Sequence, residues 1–512
     1  MAGIGLPGTD LGQLRKQAKE WLRRGRDGDT DALDLLRRLH PRGEELAADP
    51  SRLRLADAQL ALARAYDFPS WPRLREHLRL VELWRRNPHQ LPEQTDPADE
   101  LLRLGCLSYG ADAQVRPARA TAALVEDPEL AGANILTAAA TGSVSDLSRF
   151  LTADPAAANA EGGPHQWPPL LYLCFSRIPD APPGRSSLEC ARRLLDAGAD
   201  PNAGYLWEGL TPPFTALTGA FGGGEDRANQ PPHQHAAALA GLLLEAGADP
   251  NDGQTLYNRM FEASNAHLRL LFAHGLGRGS GGPWRTRLGE RQQRPAEMLA
   301  DQLIWAVAQG RTDRVALLLA NGVDPNVPGS GHPTHEDRTA YEWAVYTGST
   351  EIAALLSAAG ARPPRFPIDA VDRFLAAALG EDAEAVRQAG PAVSAAAVRR
   401  RPGAVEQAVD LRRAEAVRLL VEAGFSVHGA GRTTPLHLAA YNGDLPMVRL
   451  LVGLGADPQR EDPEHHSTPL GWAEHAGAEE VAGYLRSHLA REPVEGPVHG
   501  PSTGSGPISS DR

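Results

Sequence analysis

One short phrase recurs down the chain, and it limits the fold more than any other feature. "LLDAGADPN" occupies residues 194–202, "LLEAGADPN" 243–251 and "LLANGVDPN" 318–326, and "LLVGLGADPQ" follows at 450–459. Self-similarity of this kind is the signature of a stacked repeat architecture. Ahead of several copies lies a second segment with a glycine of its own. Gly310 and Gly322, Gly348 and Gly360, and Gly443 and Gly455 are each 12 positions apart. That interval predicts two short helices per unit, each closed by a glycine.

Residues 434–455 show how such a unit would be built. Thr434 can cap a first helix, and Pro435 suits its first turn, where a missing N–H costs nothing. Leu436, Leu438, Ala439 and Ala440 give a narrow apolar face, and Gly443 ends the helix. Val448, Leu450, Leu451 and Leu454 mark the buried side of the second helix, which Gly455 stops in the left-handed conformation. A unit this small cannot bury its own apolar faces, so it must stack on copies of itself.

With its "TPLHLAAYNGD" opening at 434–444, the pattern resembles the ankyrin-repeat family, whose unit is about 33 residues with a TPLH-type start. The resemblance covers residues 131–489. It implies an all-α solenoid of stacked helix-turn-helix units with short hairpin-like turns. About ten units fit this period, with first helices starting near Ala133, Pro168, Thr211, Thr255, Asp301, Thr339, Val371, Ala404, Thr434 and Thr468. The units near 254–275 and 371–424 lack much of the signature. Extra residues at 177–187, 221–235, 277–297 and 327–338 read as loops or short helical extensions. Around the array the expected division is a helical N-terminal module at 1–90, a linker and lead-in helices at 91–130, and a disordered tail at 490–512.

His437 raises a choice between chemistry and architecture. Its position is filled elsewhere by Leu136, Ile304, Glu342, Phe374 and Gly471, so no row of histidines exists to build a shared site. The resemblance implies a brace that hydrogen-bonds neighbouring loop backbone, which an imidazole near a helix start can do. Trp305, Trp343 and Trp472 all fall on the position of Leu438 and read as core packing rather than a ligand cage.

Composition narrows the partner. A formal net charge of −12 argues against general affinity for a phosphate backbone, so nucleic acid is excluded as a default partner. The sequence shows no signal peptide, and no stretch reaches the roughly 18 apolar residues of a spanning helix. Cys106, Cys174 and Cys190 form no CxxC pair, which fits reduced thiols in the cytoplasm. Lysine occurs only at Lys16 and Lys19 amid abundant arginine, a bias expected of a GC-rich, bacterial genome.

Residues 10–85 read as helices, with Leu55, Leu60, Leu62, Ala65 and Tyr66 on one stripe before Pro69 and Pro72 force a turn. "DFPSWPRLREHL" resembles an N-terminal helical region that accompanies some bacterial ankyrin-repeat proteins, with no activity implied. "LPEQTDPADE" reads as linker. "REPVEGPVHGPSTGSGPISSDR" is rich in Pro, Gly and Ser, a composition that stays disordered.

Catalytic patterns fail on context. Gly500, Ser502 and Gly504 match G-x-S-x-G, but a nucleophile elbow needs a strained strand-to-helix turn. Gly277, Gly279 and Gly282 match G-x-G-x-x-G, with no strand ahead of them. His233 with His235, His332 with His335 and Glu336, and His465 with His466 are the metal candidates, and none has ligand spacing. No catalytic residue, metal or cofactor is therefore expected.

The function expected is a non-enzymatic scaffold or adaptor that binds an unidentified protein partner, with no membrane association and an oligomeric state left open. The alternative is an enzyme or regulator whose activity sits in residues 1–130, around Trp21, Tyr66, Trp71 and His77, with the array recruiting its target. A third reading has the array cover its own N-terminal module. The resemblance implies a concave contact surface of turn tips and first helices. It places Tyr205, Trp207 and Arg432 on turn tips, and Tyr346, Tyr441 and His475 just before the glycines that end first helices. These are residue types that often carry binding energy. Trp207 packing against an insertion and Tyr441 merely covering the next helix remain open readings.

Overall fold

A computed structural model describes residues 11–110, 115–329, 338–365 and 367–490. The expected tail beyond residue 490, the Gly500 to Gly504 pattern and the His332, His335 and Glu336 cluster lie outside the described residues.

The structure is helical, and the two-helix unit is its main element. First helices run Ile135–Ala140, Pro169–Phe175, Ala216–Phe221, Gly253–Met260, Pro295–Ala308, Ala340–Tyr346, Ala370–Leu379, Ala404–Asp410, Pro435–Tyr441 and Pro469–His475. Each is followed by a second helix, such as Val144–Ala153, Ala236–Glu245 or Leu445–Gly453. Local chemistry sets their starts: the side chains of Asn134, Thr215, Asp252, Asp369, Thr434 and Thr468 each accept a hydrogen bond from a first-turn N–H. Two starts differ from the sequence reading. Thr211 lies four residues early because Thr215 is the cap. The helix around Asp301 begins at Pro295, a residue that fits a first turn.

The described residues fall into two compact units. The first comprises those up to 307 with 311–341 and 354–363; the second comprises 308–310, 342–353 and those from 364 onward.

In the first unit the N-terminal helices enclose Leu14, Ala18, Leu62, Phe68 and Leu74. Tyr66 and Trp71, two of the residues singled out for a possible activity, pack against this cluster. Part of the expected linker is helix: the Asp96 side chain accepts from Ala98 N at 2.8 Å and Asp99 N at 3.4 Å, starting Pro97–Gly105. An Asp-Pro pair is a cap followed by a first-turn proline, and Leu101 and Leu104 then join a core with Ala120, Leu124 and Ile178.

A small sheet accompanies the helices. β1, Arg85–Arg86, pairs in parallel with β2, Gly204–Trp207, and β2 pairs antiparallel with β3, Phe214–Thr215. The expected turn tip at Tyr205 is thus a strand that ties the N-terminal helices to a repeat. The 277–297 insertion adds Gly282–Leu288 to the same junction, as a short helical extension. Trp284 meets Trp84 edge to face at 5.2 Å, and Arg287 stacks over both rings, 5.0 Å from Trp84 and 4.8 Å from Trp284. Arg291 lies 3.9 Å over Phe68 and donates to Tyr66 O at 2.7 Å.

In the second unit, Phe374, Leu375, Val405, Val409, Val417, Leu420, Leu436, Val448, Leu451 and Leu485 form one continuous core. The degenerate stretch carries an extra helix, Pro391–Arg400, of which only Ala397 is buried. It also carries backbone strain. Gly443 and Gly477 end first helices at φ 64° and 68°, and Glu381 and Arg412 hold the same post at 64° and 55° without glycine's freedom.

Arg412→Gly is expected to stabilise this unit by about 0.5–1 kcal/mol. Amide exchange is expected to be faster over 371–424 than over 434–489 in the native chain, and the substitution should narrow that gap. Equal protection of the two stretches would show that the strain does not localise opening.

Candidate functional site

The last repeats hold three of the six residues singled out as partner contacts. His437 itself is fully buried. Its Nδ1 lies 2.7 Å from Thr434 Oγ1 and its Nε2 3.0 Å from Ser467 O, so it links its own helix cap to the loop of the next unit. Burial lowers its pKa, which keeps the ring a neutral donor–acceptor pair suited to bridging a hydroxyl and a carbonyl.

Around this brace the aromatic residues line up. Tyr441 and His475 occupy equivalent positions one repeat apart and stack at 6.5 Å with 21° between planes. Trp472 sits edge-on to both Tyr441, at 5.8 Å, and His437, at 5.5 Å. Tyr441 is half-buried and His475 exposed, so the stack is accessible chiefly through the histidine ring. Arg432 extends from its turn with 81% of its side chain exposed, 3.9 Å from the Glu464 carboxylate. At that distance, and that exposed, the pair holds the guanidinium only loosely.

Residues 405–493 match the family model for ankyrin repeats in three copies. The chain carries ankyrin repeats. No curated protein matches it. Ankyrin repeats are a protein-interaction module, and the matched stretch contains Arg432, Tyr441 and His475. The helix pairs upstream of residue 405 share the capped two-helix build of these repeats.

The other three singled-out residues are placed differently. Tyr346 is half-buried, covered by the Arg401 guanidinium 3.4 Å above its ring. Tyr205 is only 1% exposed, stacked between Trp167 at 5.0 Å and Phe214 at 5.7 Å. Neighbouring Leu206, on the other face of the strand, is 0% exposed as well, so β2 is covered on both sides and Tyr205 is removed from any partner surface. Trp207, two residues on, is half-buried; its Nε1 donates to Ser108 O at 3.0 Å and its ring stacks on His89 at 4.6 Å. It therefore packs against the segment after the N-terminal helices.

Beside Trp207 the first unit opens a cleft of about 780 Å³. The β2–β3 loop, the helices Gly253–Met260 and Pro295–Ala308, and residues from the 221–235 and 277–297 insertions form its walls. Trp207, Tyr257, Phe261 and Trp305 supply aromatic surface. The tryptophans at the Leu438 position thus divide: Trp343 is core, Trp305 lines this cleft, and half-buried Trp472 donates from Nε1 to Asp462 Oδ2 at 3.0 Å. The polar lining includes Gln292 and Gln302, each 3% exposed, whose Oε1 atoms have no hydrogen-bond partner. A buried acceptor left so costs about 1–3 kcal/mol. Sequence reasoning missed these residues because they follow no repeat position.

Two of the metal candidates are engaged with neighbours. His233 Nδ1 accepts from His235 N at 3.1 Å, and His235 Nε2 lies 3.1 Å from Asp180 Oδ2. His465 and His466 are exposed. Among the described residues no three His, Cys, Asp or Glu side chains gather to hold a metal ion.

Electrostatics beside the cleft turn on Asp252, which caps Gly253–Met260. Its carboxylate accepts from Thr255 N at 2.8 Å, from Thr218 Oγ1 at 3.4 Å and from the Thr215 hydroxyl. Burial nevertheless pushes its pKa up to about 6. A raised carboxyl binds a proton in the folded state between pH 4 and 6, where the unfolded chain has released it, so its contribution to stability falls as pH rises through that window. Buried His165, His233 and His267, pushed down to about 3, act oppositely: stability is present above the unfolded value of 6.5 and lost as pH falls toward 3. The difference between Asp252→Asn and the native chain isolates the carboxyl. The variant is expected to gain stability relative to the native chain as pH rises from 4 to 6, by about 3 kcal/mol at neutrality. Denaturant melts at several pH values measure this, and a pH-independent difference would show that Asp252 keeps an ordinary pKa.

Proposed function

We propose that the chain is a non-enzymatic scaffold or adaptor that holds a protein partner on the ankyrin repeats at 405–490, through turn tips and first-helix ends. The observation that carries this reading is the Tyr441–His475 stack, set one repeat apart and braced from beneath by Trp472 and His437. Rings already held in place lose little conformational entropy when a partner covers them, so more of the contact energy appears as affinity. Arg432 adds an exposed guanidinium that can reach a partner carboxylate. No residue of this surface is assigned a catalytic role.

The setting proposed is the cytoplasm. Cys106, Cys174 and Cys190 are buried thiols, and burial pushes the Cys174 thiol up and the Cys190 thiol up to about 12. Thiols so placed are inert packing groups, as expected where disulfides are not used. Among the described residues no helix is long and apolar enough to cross a membrane.

Affinity purification with the full chain, followed by mass spectrometry, would identify the partner, and substitution then locates the site. Tyr441→Ala and His475→Ala are each expected to weaken that partner by roughly 2 kcal/mol, about thirtyfold, with the melting temperature nearly unchanged. Native affinity in the double variant would move the site off these repeats.

A further inference from the structure

The cleft beside Trp207 has a chemistry that a flat protein contact does not require, and it stands independently of the partner surface at 405–490. Gln302 fixes its sign. Its Nε2 donates to Leu256 O at 3.2 Å, and since a backbone carbonyl can only accept, the amide cannot be turned around. The other end of the side chain is therefore an acceptor, buried, unpartnered and lining the cleft. Gln292, from the 277–297 insertion, also lines the cleft, and its buried Oε1 has no hydrogen-bond partner.

Two carboxylates extend the same sign. Asp301 accepts from Gln293 Nε2 at 2.7 Å, and Glu225 accepts from the Tyr257 hydroxyl; both line the cleft. Arg291 is the basic side chain among the lining residues, and its guanidinium is committed to Tyr66 O and the face of Phe68. Aromatic rings, whose faces are electron-rich, make up much of the remaining wall.

We propose that this cleft binds an organic cation that presents several N–H donors on an apolar body, a guanidinium or amidinium group carried on an aliphatic or aromatic frame. The donors satisfy Gln302 and Gln292, the charge is balanced by Asp301 and Glu225, and the body lies against Trp305 and Tyr257. The volume of about 780 Å³ is within the range of roughly 300–1,000 Å³ typical of small-ligand sites. An anion would meet two carbonyl oxygens and two carboxylates, and is excluded by that repulsion.

Calorimetric titration of the full chain with benzamidinium tests the charge, with benzamide and benzoate as neutral and anionic isosteres. Benzamidinium is expected to bind at least tenfold more tightly than either, and Asp301→Asn and Gln302→Leu are each expected to weaken it about tenfold. Asp301→Asn changes no shape, and circular dichroism of both variants separates lost binding from lost folding. A second arm distinguishes the source of the cation. Free agmatine binding more tightly than an acetyl-Gly-Arg-Gly-amide peptide would assign a small metabolite, and the reverse order an arginyl side chain of a protein; either supports the cation site. Equal affinity for benzamide and benzamidinium, no binding of benzamidinium, or unchanged binding by a folded Asp301→Asn would overturn it.

Discussion

Each two-helix unit leaves apolar surface uncovered on both sides, and the need to cover it governs the rest of the structure. The first helices are short and rich in alanine, as in Ile135–Ala140 and Pro435–Tyr441, so they bury little surface singly and approach closely when stacked. Stability comes from neighbour on neighbour. Val405, Leu436, Val448 and Leu485 belong to one cluster although they come from three successive repeats. His437 serves the same need in polar form, spending both ring nitrogens on fixing one unit to the loop of the next.

What the sequence made legible was whatever repeats. The left-handed glycines, the threonine caps and the two-helix interval are local, so each can be read from a few residues, and even the degenerate units near 371 and 404 were found at their true positions. The same locality explains the strain at Arg412. A position that demands φ near 60° can be recognised by its place in the repeat, whichever residue occupies it.

What was not legible was whatever joins one pattern to another. The β1–β2 pairing brings Arg85 opposite Leu206, and neither segment has the length or alternation that announces a strand. Tyr205 looked like an interface residue because tyrosine at a turn tip usually is exposed; the pairing turned it inward. The cleft was hidden for a related reason. Its polar groups come from insertions, Gln292 and Glu225, and from a helix that starts six residues before the repeat pattern indicates, Gln302 and Asp301. Only a three-dimensional meeting of unrelated segments makes them a set.

The β1–β2 ladder also bears on how the chain is born. A ribosome adds residues from the N-terminus, and Arg86 must wait for Trp207, 121 positions later, before its strand has a partner. At about 5–20 residues per second this delay is roughly 6 to 24 s, during which the Trp84 ring and the β1 edge face solvent or a chaperone. The C-terminal repeats carry no such debt, since each can dock on its predecessor as it emerges. Synthesis thus divides the molecule in time into an early part that must be held open and a late part that closes as it is made.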